Sequence, residues 1–176
     1  METGDIVIFS SGFGHVAMAF DERFVFHANE TSNFHLVAAA DKKGHLFEQG
    51  GKVFRPPWEK MGEAVTANYK AELQENAKAI GRSAKYGIYR AVRLFLGDST
   101  YGPNAAARLQ KYRDRMRAGS AKTVSKITCA EAVILSYQLT FLEHGGPCFI
   151  KLDAAHAMPS TLEKWLRANW GDPISG

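Results

Sequence analysis

The stretch Gly14-His-Val-Ala-Met-Ala-Phe-Asp-Glu-Arg-Phe-Val-Phe-His-Ala28 predicts a pair of short strands. Residues Val16–Phe20 and Phe24–Phe26 are apolar and aromatic, as in strands that have one buried face. Between them the charged triplet Asp21-Glu22-Arg23 is typical of a hairpin turn. We therefore expect an antiparallel hairpin that carries a histidine near the outer end of each strand.

The histidines His15 and His27 should share one face of this hairpin. Facing residues of an antiparallel pair have numbers with a constant sum, and they point to the same side of the sheet. A three-residue turn makes that sum even, so two odd-numbered residues lie on the same face of the sheet. A two-residue turn would make the sum odd and would place the two histidines on opposite faces. Two neighbouring imidazoles suit either a shared metal or a relay in which one ring orients the other.

The composition is that of an ordinary globular domain. The chain has 176 residues, 45% hydrophobic and 23% charged, which is enough for one domain with a core of its own. A net charge of +4 and a pI near 9.1 permit an anionic partner without requiring one. Two cysteines, Cys129 and Cys148, are too few for a disulfide framework, although one bridge between them stays open.

The N-terminal residues lack the features of a signal peptide, and no apolar run approaches the length of a membrane span. We therefore expect a protein that is cytoplasmic as synthesised, or one that is secreted by a system that needs no such signal. The loop Ser10–Gly14 contains a Gly-x-Gly, but it lacks the third glycine and the helix of a dinucleotide fingerprint. We expect no cofactor.

Hydrophobic periodicity and breaker residues divide the rest of the chain into short elements. Strands are predicted at Asp5–Ser10, Phe34–Ala38, Gly44–Phe47, Lys52–Arg55 and Phe149–Leu152. Helices are predicted at Glu63–Ile80, ending near Gly81, and at Tyr86–Leu96, Pro103–Arg117, Cys129–Phe141 and Pro159–Asn169. Strands come first and helices later, so we predict a single α+β domain over residues 1–176, with a helical insertion at about 58–126.

A basic segment runs from Arg108 to Lys126 and contains one acidic residue, Asp114. Its basic residues are Arg108, Lys111, Arg113, Arg115, Arg117, Lys122 and Lys126. One interpretation is a solvated helix face followed by a linker. The other is a docking surface for an anionic polymer or a membrane; nucleic acid is not favoured, because Tyr112 is the only aromatic residue among these cations.

Cys129 stands where a nucleophilic cysteine is expected, in the first turn of an apolar helix. Thr128 is a suitable N-cap, and Glu131 follows at the spacing of a capping box. Backbone amides and the helix dipole at this end can lower the pKa of a thiol and can bind a developing oxyanion. A lone cysteine here is usually only a small buried hydrophobe. With His15 as base and His27 as the group that orients it, however, all three catalytic roles are filled.

Other assignments of these residues remain open. His15, His27 and Cys129 could instead be three ligands of a zinc ion. Cys148 follows Gly-Gly-Pro and is interpreted as structural. The remaining histidines are His35, His45, His144 and His156, and their spacing is not informative. His35 and His45 are interpreted as surface or loop residues.

The sequence resembles the NlpC-type papain-like cysteine peptidases in the segments Gly4–Phe9, Gly14–Phe20 and Phe24–Ala28. In that family a catalytic histidine and a polar third residue, often a histidine followed by alanine, lie on adjacent strands at this spacing. Here the cysteine follows the strands, so the chain is similar to the circularly permuted branch that includes lecithin retinol acyltransferase-like proteins. The segment 157–162 is also similar to permuted members, whereas residues of about 58–126 have no counterpart. Thr128 and Ala130 depart from the larger polar residues of many relatives, so the substrate class does not carry over directly.

This resemblance implies a papain-like antiparallel sheet that packs against the cysteine helix, and a Cys129-His15-His27 cysteine peptidase or amidase. The first substrate that it implies is an amide bond in peptidoglycan stem peptides, for an enzyme that recycles muropeptides or for a secreted antibacterial effector with an immunity or secretion partner. Two alternatives remain. One is a thiol acyltransferase or thioesterase that acts on lipid or acyl substrates, and the other is a binding module that kept the fold without the chemistry.

Overall fold

The computed structural model describes residues 1–9, 14–22, 24–29, 32–38, 50–87, 98–119 and 126–174. Within them the protein is a mixed α+β structure. The strands are β1 (Ile6–Phe9), β2 (His15–Ala19), β3 (Phe24–Asn29), β4 (Ser32–Ala38), β5 (Lys52–Phe54), β6 (Lys85–Tyr86) and β7 (Lys126–Ile127). The helices are α1 (Glu63–Ser83), α2 (Pro103–Arg117), α3 (Cys129–Phe141) and α4 (Pro159–Asn169), and a short 3-10 helix covers Trp58–Lys60.

Strands β1 to β5 form one antiparallel sheet in the order β4-β3-β2-β1-β5, and β6 and β7 form a separate parallel pair. The β2–β3 hairpin has the expected even register, with Met18 opposite Phe26 and Ala19 opposite Val25. Of the three turn residues, the structure describes Asp21 and Glu22 but not residue 23. Because this register places odd-numbered residues together, the predicted common face of the two histidines is confirmed.

Helix α3 packs against one face of the sheet, and all of its residues are buried. The residues of the sheet that share its core are mostly even-numbered: Ile6, Ile8, Val16, Met18, Phe26, Ala28 and Phe54. The odd-numbered residues Val7, Phe9, Ala17, Val25 and Val53 form a separate apolar cluster on the other face. Since side chains alternate along a strand, His15 and His27 project from this second face.

The predicted helical insertion is not peripheral to the core. Helix α1 packs against α3 and contributes Leu73, Ala77 and Ile80 to the same core as the sheet. Helix α2 adds Leu109 and Tyr112 to it. These helices therefore stabilise the helix that carries Cys129.

Helices α2, α3 and α4 and the strands at 32–38 and 52–54 occupy their predicted places, whereas the predicted end of α1 is wrong. This helix passes through Gly81 to Ser83, and the N–H of Ala84 still bonds to the carbonyl of Ile80. Ile80 and Ala84 are buried, so packing outweighs the cost of about 1 kcal/mol for a glycine inside a helix.

The helix predicted at Tyr86–Leu96 does not begin where expected, because Tyr86 lies in β6 and pairs with Ile127 of β7. Residues 88–96, like the strand predicted at 44–47, lie outside the described part of the chain.

The strand predicted at Phe149–Leu152 is wrong. In the described chain this segment makes one isolated bridge, between Leu152 and Thr100. The buried side chain of Gln138 donates hydrogen bonds to the carbonyls of Ile150 and Leu152, at 2.8 and 2.7 Å. A side chain of α3 therefore occupies the acceptors that a neighbouring strand would have used.

Ion pairs neutralise much of the basic helix α2. Arg108 bonds to both carboxylate oxygens of Asp153, and Arg113 and Arg117 both bond to Glu143. This pairing favours the interpretation of a solvated helix face over that of a docking surface. Among the described helices, none is long and apolar enough to span a membrane.

Candidate active site

The two histidines are in direct contact. Nε2 of His15 lies 3.1 Å from Nδ1 of His27, and the ring planes are nearly perpendicular, at 85°. His27 is 2% exposed, whereas His15 is only partly buried. The ring of His27 is thus enclosed by its surroundings, whereas the ring of His15 keeps some access to solvent.

This contact defines the roles of the ring nitrogens. Nε2 of His15 faces His27, so Nδ1 is the nitrogen that is left to accept a proton from another group. If Nδ1 is the acceptor, Nε2 carries the hydrogen of neutral His15 and donates it to Nδ1 of His27. His27 then carries its own hydrogen on Nε2. In this arrangement His27 orients the ring of His15 and fixes its tautomer.

Cys129 is the first residue of α3, as expected. The hydroxyl of Thr128 accepts a hydrogen bond from the backbone N–H of Glu131 at 3.2 Å, which confirms Thr128 as the N-cap. Cys129 is 6% exposed and forms no disulfide. The capped helix start therefore holds the thiol at a fixed position with a small opening to solvent.

The thiol of Cys129 lies at a gap between β2 and β3, next to the backbone of Val16. In the described residues the ladder between these strands ends at Met18 and Phe26. The N–H of Phe20 bonds to the carbonyl of Phe24 in β3. Backbone N–H groups of alternate residues point to the same side of a strand, so the N–H of Val16 also points toward β3. At Val16 the β2–β3 ladder has ended, so this N–H has no partner among the described residues of β3. The Val16 amide donates to the Cys129 thiol instead. This places the thiol beside the residue that follows His15, although the helix and the histidines lie on different faces of the sheet.

Both catalytic candidates are neutral in the resting site. Burial, with a smaller contribution from His27, lowers the pKa of His15 from 6.5 to about 4. Burial raises the pKa of the Cys129 thiol, while the amides of Val16, Ala130 and Cys129 itself act in the opposite direction. The expected net lowering of the thiol pKa is therefore wrong, because desolvation exceeds the effect of the amides. Near neutral pH the imidazole of His15 and the thiol of Cys129 are therefore both uncharged.

Comparison of the chain with protein-family models, curated proteins and solved structures finds no match. Any functional assignment therefore depends on the residues of the site itself.

Gly14 is a site residue whose role only the structure reveals. Its φ of +76° is in the left-handed region that favours glycine. A Cβ on Gly14 would lie 3.0 Å from the Cβ of Pro159, the first residue of α4. Gly14 thus lets α4 pack directly against the residue that precedes His15. A glycine before a candidate base is the sequence signal that could have suggested this.

The remaining candidates are placed as follows. His35 lies in β4, in register with His27, so its interpretation as a loop residue is wrong. His45 is outside the described residues. His144 follows α3 and contacts the ring of Tyr69, and His156 lies in a turn after Asp153.

Neither the second cysteine nor the zinc alternative gains support from the geometry. Cys148 is completely buried, and burial raises its pKa to about 12, which is consistent with a structural role. Within the described ranges, which include His15, His27 and Cys129, no group of three or more His, Cys, Asp or Glu side chains is arranged to hold a metal ion.

Proposed function

We propose that this protein is a cysteine hydrolase with a permuted papain-like arrangement, in which Cys129 is the nucleophile, His15 the base and His27 the orienting residue. The observation that carries the proposal is the 3.1 Å contact between Nε2 of His15 and Nδ1 of His27, with Cys129 bound to the adjacent Val16 amide. A buried thiol at a capped helix start and an imidazole held by a second histidine are the groups that a cysteine hydrolase requires.

In the first step Sγ of Cys129 attacks the carbonyl carbon of an amide while Nδ1 of His15 takes the thiol proton. The negative charge that develops on the carbonyl oxygen is stabilised by backbone N–H groups at the start of α3, including that of Cys129. The imidazolium of His15 keeps its hydrogen bond to His27 and gives the proton to the leaving amine as the carbon–nitrogen bond breaks. A thioester on Cys129 and a free amine result.

In the second step a water molecule attacks the thioester carbonyl carbon, and His15 accepts a proton from the water. The carbon–sulfur bond breaks, the carboxylic acid leaves, and the proton returns to Sγ of Cys129. Atoms and charge are conserved over the cycle, and no cofactor is required.

For the substrate we propose the amide bonds of peptidoglycan stem peptides, on the basis of the similarity to NlpC-type peptidases. A cell-wall role would require that the enzyme is delivered to the wall or acts on internal muropeptides. The ion pairs of α2 reduce the support for a broad basic surface that binds the polymer, so substrate selection would lie at the cleft beside Cys129.

The test is digestion of purified peptidoglycan and of isolated muropeptides, followed by chromatography and mass spectrometry. We expect the wild type to release new amino termini and Cys129→Ala to lose at least about a thousandfold in rate, as is usual when a covalent nucleophile is removed. Cys148→Ala is the matched control and should retain activity. Turnover that survives in Cys129→Ala would contradict the proposal.

Alkylation with iodoacetamide tests the site without knowledge of the substrate. Cys129 should react before Cys148, since Cys148 has no exposed surface, and His15→Gln should slow the reaction of Cys129. Equal reactivity of the two thiols would favour a binding module. If instead a lipid donor leaves an acyl group on Cys129 in intact-mass spectra while muropeptides remain uncut, the protein is an acyltransferase or thioesterase.

A further inference from the structure

A polar cavity of about 320 Å³ lies at the far end of α3 from Cys129. It is bounded by α1, α2 and the last turn of α3, and its lining includes Leu139. Leu139 follows Cys129 by ten residues, which corresponds to about 15 Å along a helix that rises 1.5 Å per residue. The cavity is therefore separate from the proposed catalytic site, and its volume is at the lower end of the range for small-molecule pockets.

The cavity has one cationic side. The guanidinium groups of Arg113 and Arg117 both bond to Oε1 of Glu143, at 2.9 and 2.6 Å. Nε of Arg113 is buried and has no acceptor among the described residues. The side chain of Arg117 is 62% exposed, so its remaining N–H groups are accessible. Two guanidinium groups therefore have unused donors at this wall, and guanidinium donors match carboxylates.

The cavity also has acceptors that no described residue satisfies. Both arginines use Oε1 of Glu143, and no described group bonds to its Oε2. Glu72 lines the same cavity and makes no ion pair within the described chain. Burial and the nearby charge of Glu143 raise the pKa of Glu72, and His144 opposes this effect. A cationic ligand group near Glu72 would offset the repulsion between the carboxylates of Glu72 and Glu143.

The structure assigns to this cavity a small zwitterion, a free amino acid or a dipeptide with an apolar side chain. Its carboxylate would bind Arg113 and Arg117, and its ammonium group would bind Glu72 and Oε2 of Glu143. The apolar side chain would contact Leu139 and Met116, which also line the cavity. Lining groups of both signs disfavour a simple anion or a simple cation, because each would leave one side of the cavity unmatched.

Isothermal titration calorimetry with leucine and with leucyl-leucine tests the assignment and separates a free amino acid from a peptide. We expect saturable binding of at least one of them, at least about tenfold weaker for N-acetylleucine and for leucinamide, each of which lacks one charge. Glu72→Gln and Arg117→Gln should each weaken binding by a similar factor. Lys111→Gln, an exposed change on α2 outside the cavity, should have no effect.

Thermal melting of each variant establishes that its fold is intact, and both altered side chains are solvent-accessible. The assignment is overturned if neither zwitterion binds up to about 10 mM, a limit that corresponds to weak small-ligand affinity. It is equally overturned if the singly charged analogues bind as well as leucine does. These outcomes are independent of the proposed hydrolase activity, because Cys129→Ala should bind leucine like the wild type.

Discussion

At the scale of single residues, His15 is the group whose chemistry depends most on its surroundings. In isolation an imidazole is half protonated near pH 6.5, and in this site the pKa is about 4. His15 is therefore uncharged at neutral pH. Its Nε2 contacts His27, so Nδ1 is the nitrogen that remains for the proton transfer that we propose.

The lowered pKa of His15 predicts a stability that depends on pH. Between about pH 6.5 and 4 the unfolded chain binds a proton at His15 that the folded chain does not, so stability falls as the pH is lowered through this window. The slope for one proton is at most about 1.4 kcal/mol per pH unit. Urea unfolding of the wild type and of His15→Gln at several pH values measures it. The variant should show a shallower dependence, and equal slopes would contradict the shifted pKa.

Gly14 allows a test of how precisely His15 must be placed. Gly14→Ala places a Cβ at a φ of +76° and 3.0 Å from the Cβ of Pro159, so we expect a loss of stability and a displaced His15. The matched control is Gly119→Ala at the end of α2, where φ is +65° and no atom lies within 4 Å of the added Cβ.

Both glycine variants carry the backbone cost of about 1 to 2 kcal/mol for a left-handed residue with a side chain. Only Gly14→Ala should lose more than this in urea unfolding, and only it should slow the alkylation of Cys129. If the two variants behave alike, the contact with Pro159 does not position His15.

At the scale of elements, α3 is the helix whose position and burial the sequence predicts best. Its apolar run predicts a buried helix, Thr128 predicts where the helix begins, and both predictions are confirmed. Its end at Phe141 also agrees with the sequence, because the chain soon reaches the pair Gly145-Gly146, both of which have positive φ. The start of this helix defines the position of Cys129.

Removal of the cap should therefore affect both stability and the site. Thr128→Ala leaves the buried N–H of Glu131 without its acceptor, and we expect a loss of about 1 kcal/mol in the free energy of unfolding. Thr128→Ser keeps the hydroxyl and should stay within a few tenths of a kcal/mol of the wild type. Urea denaturation measures the difference. A Thr128→Ala variant as stable as the serine variant would mean that the cap contributes little.

At the scale of the whole molecule, long-range contacts decide which segments become regular elements. Gln138 is 2% exposed, and its amide nitrogen bonds to the carbonyls of Ile150 and Leu152. These two bonds connect α3 to the segment that leads into α4. They also explain why that segment is not the predicted strand.

Gln138→Leu should be destabilising, because the buried carbonyl of Leu152 loses its donor, whereas the carbonyl of Ile150 keeps the N–H of Leu152. We expect a loss of about 1 to 3 kcal/mol, the usual cost of one buried polar group left unsatisfied. Ser136→Ala is the matched control on the same helix. The Ser136 hydroxyl bonds to the carbonyl of Ala132, which also accepts the regular helical hydrogen bond, so its loss should cost far less. Similar midpoints of thermal unfolding for the two variants would contradict this role of Gln138.

The sequence by itself determined the local features of this protein. The hairpin register follows from turn length and strand period, so the shared face of His15 and His27 was predictable. The N-cap at Thr128 and the start of α2 at Pro103 depend on residues within a few positions, and both were predictable for that reason. Four of the five predicted helices and most of the predicted strands were predictable for the same reason.

Only the tertiary structure decided the features that depend on burial and on distant partners. The pKa of Cys129 is raised rather than lowered, because its surroundings exclude water more than the helix amides can offset. The gap between β2 and β3, through which the thiol meets the Val16 amide, has no signature in the sequence. The occupied carbonyls of Ile150 and Leu152 depend on a side chain 12 and 14 residues away. Helices, strands and turns depend on residues that are close in the sequence. The solvation of a side chain and the choice of its hydrogen-bond partner depend on residues that are distant in the sequence and that only folding brings into contact.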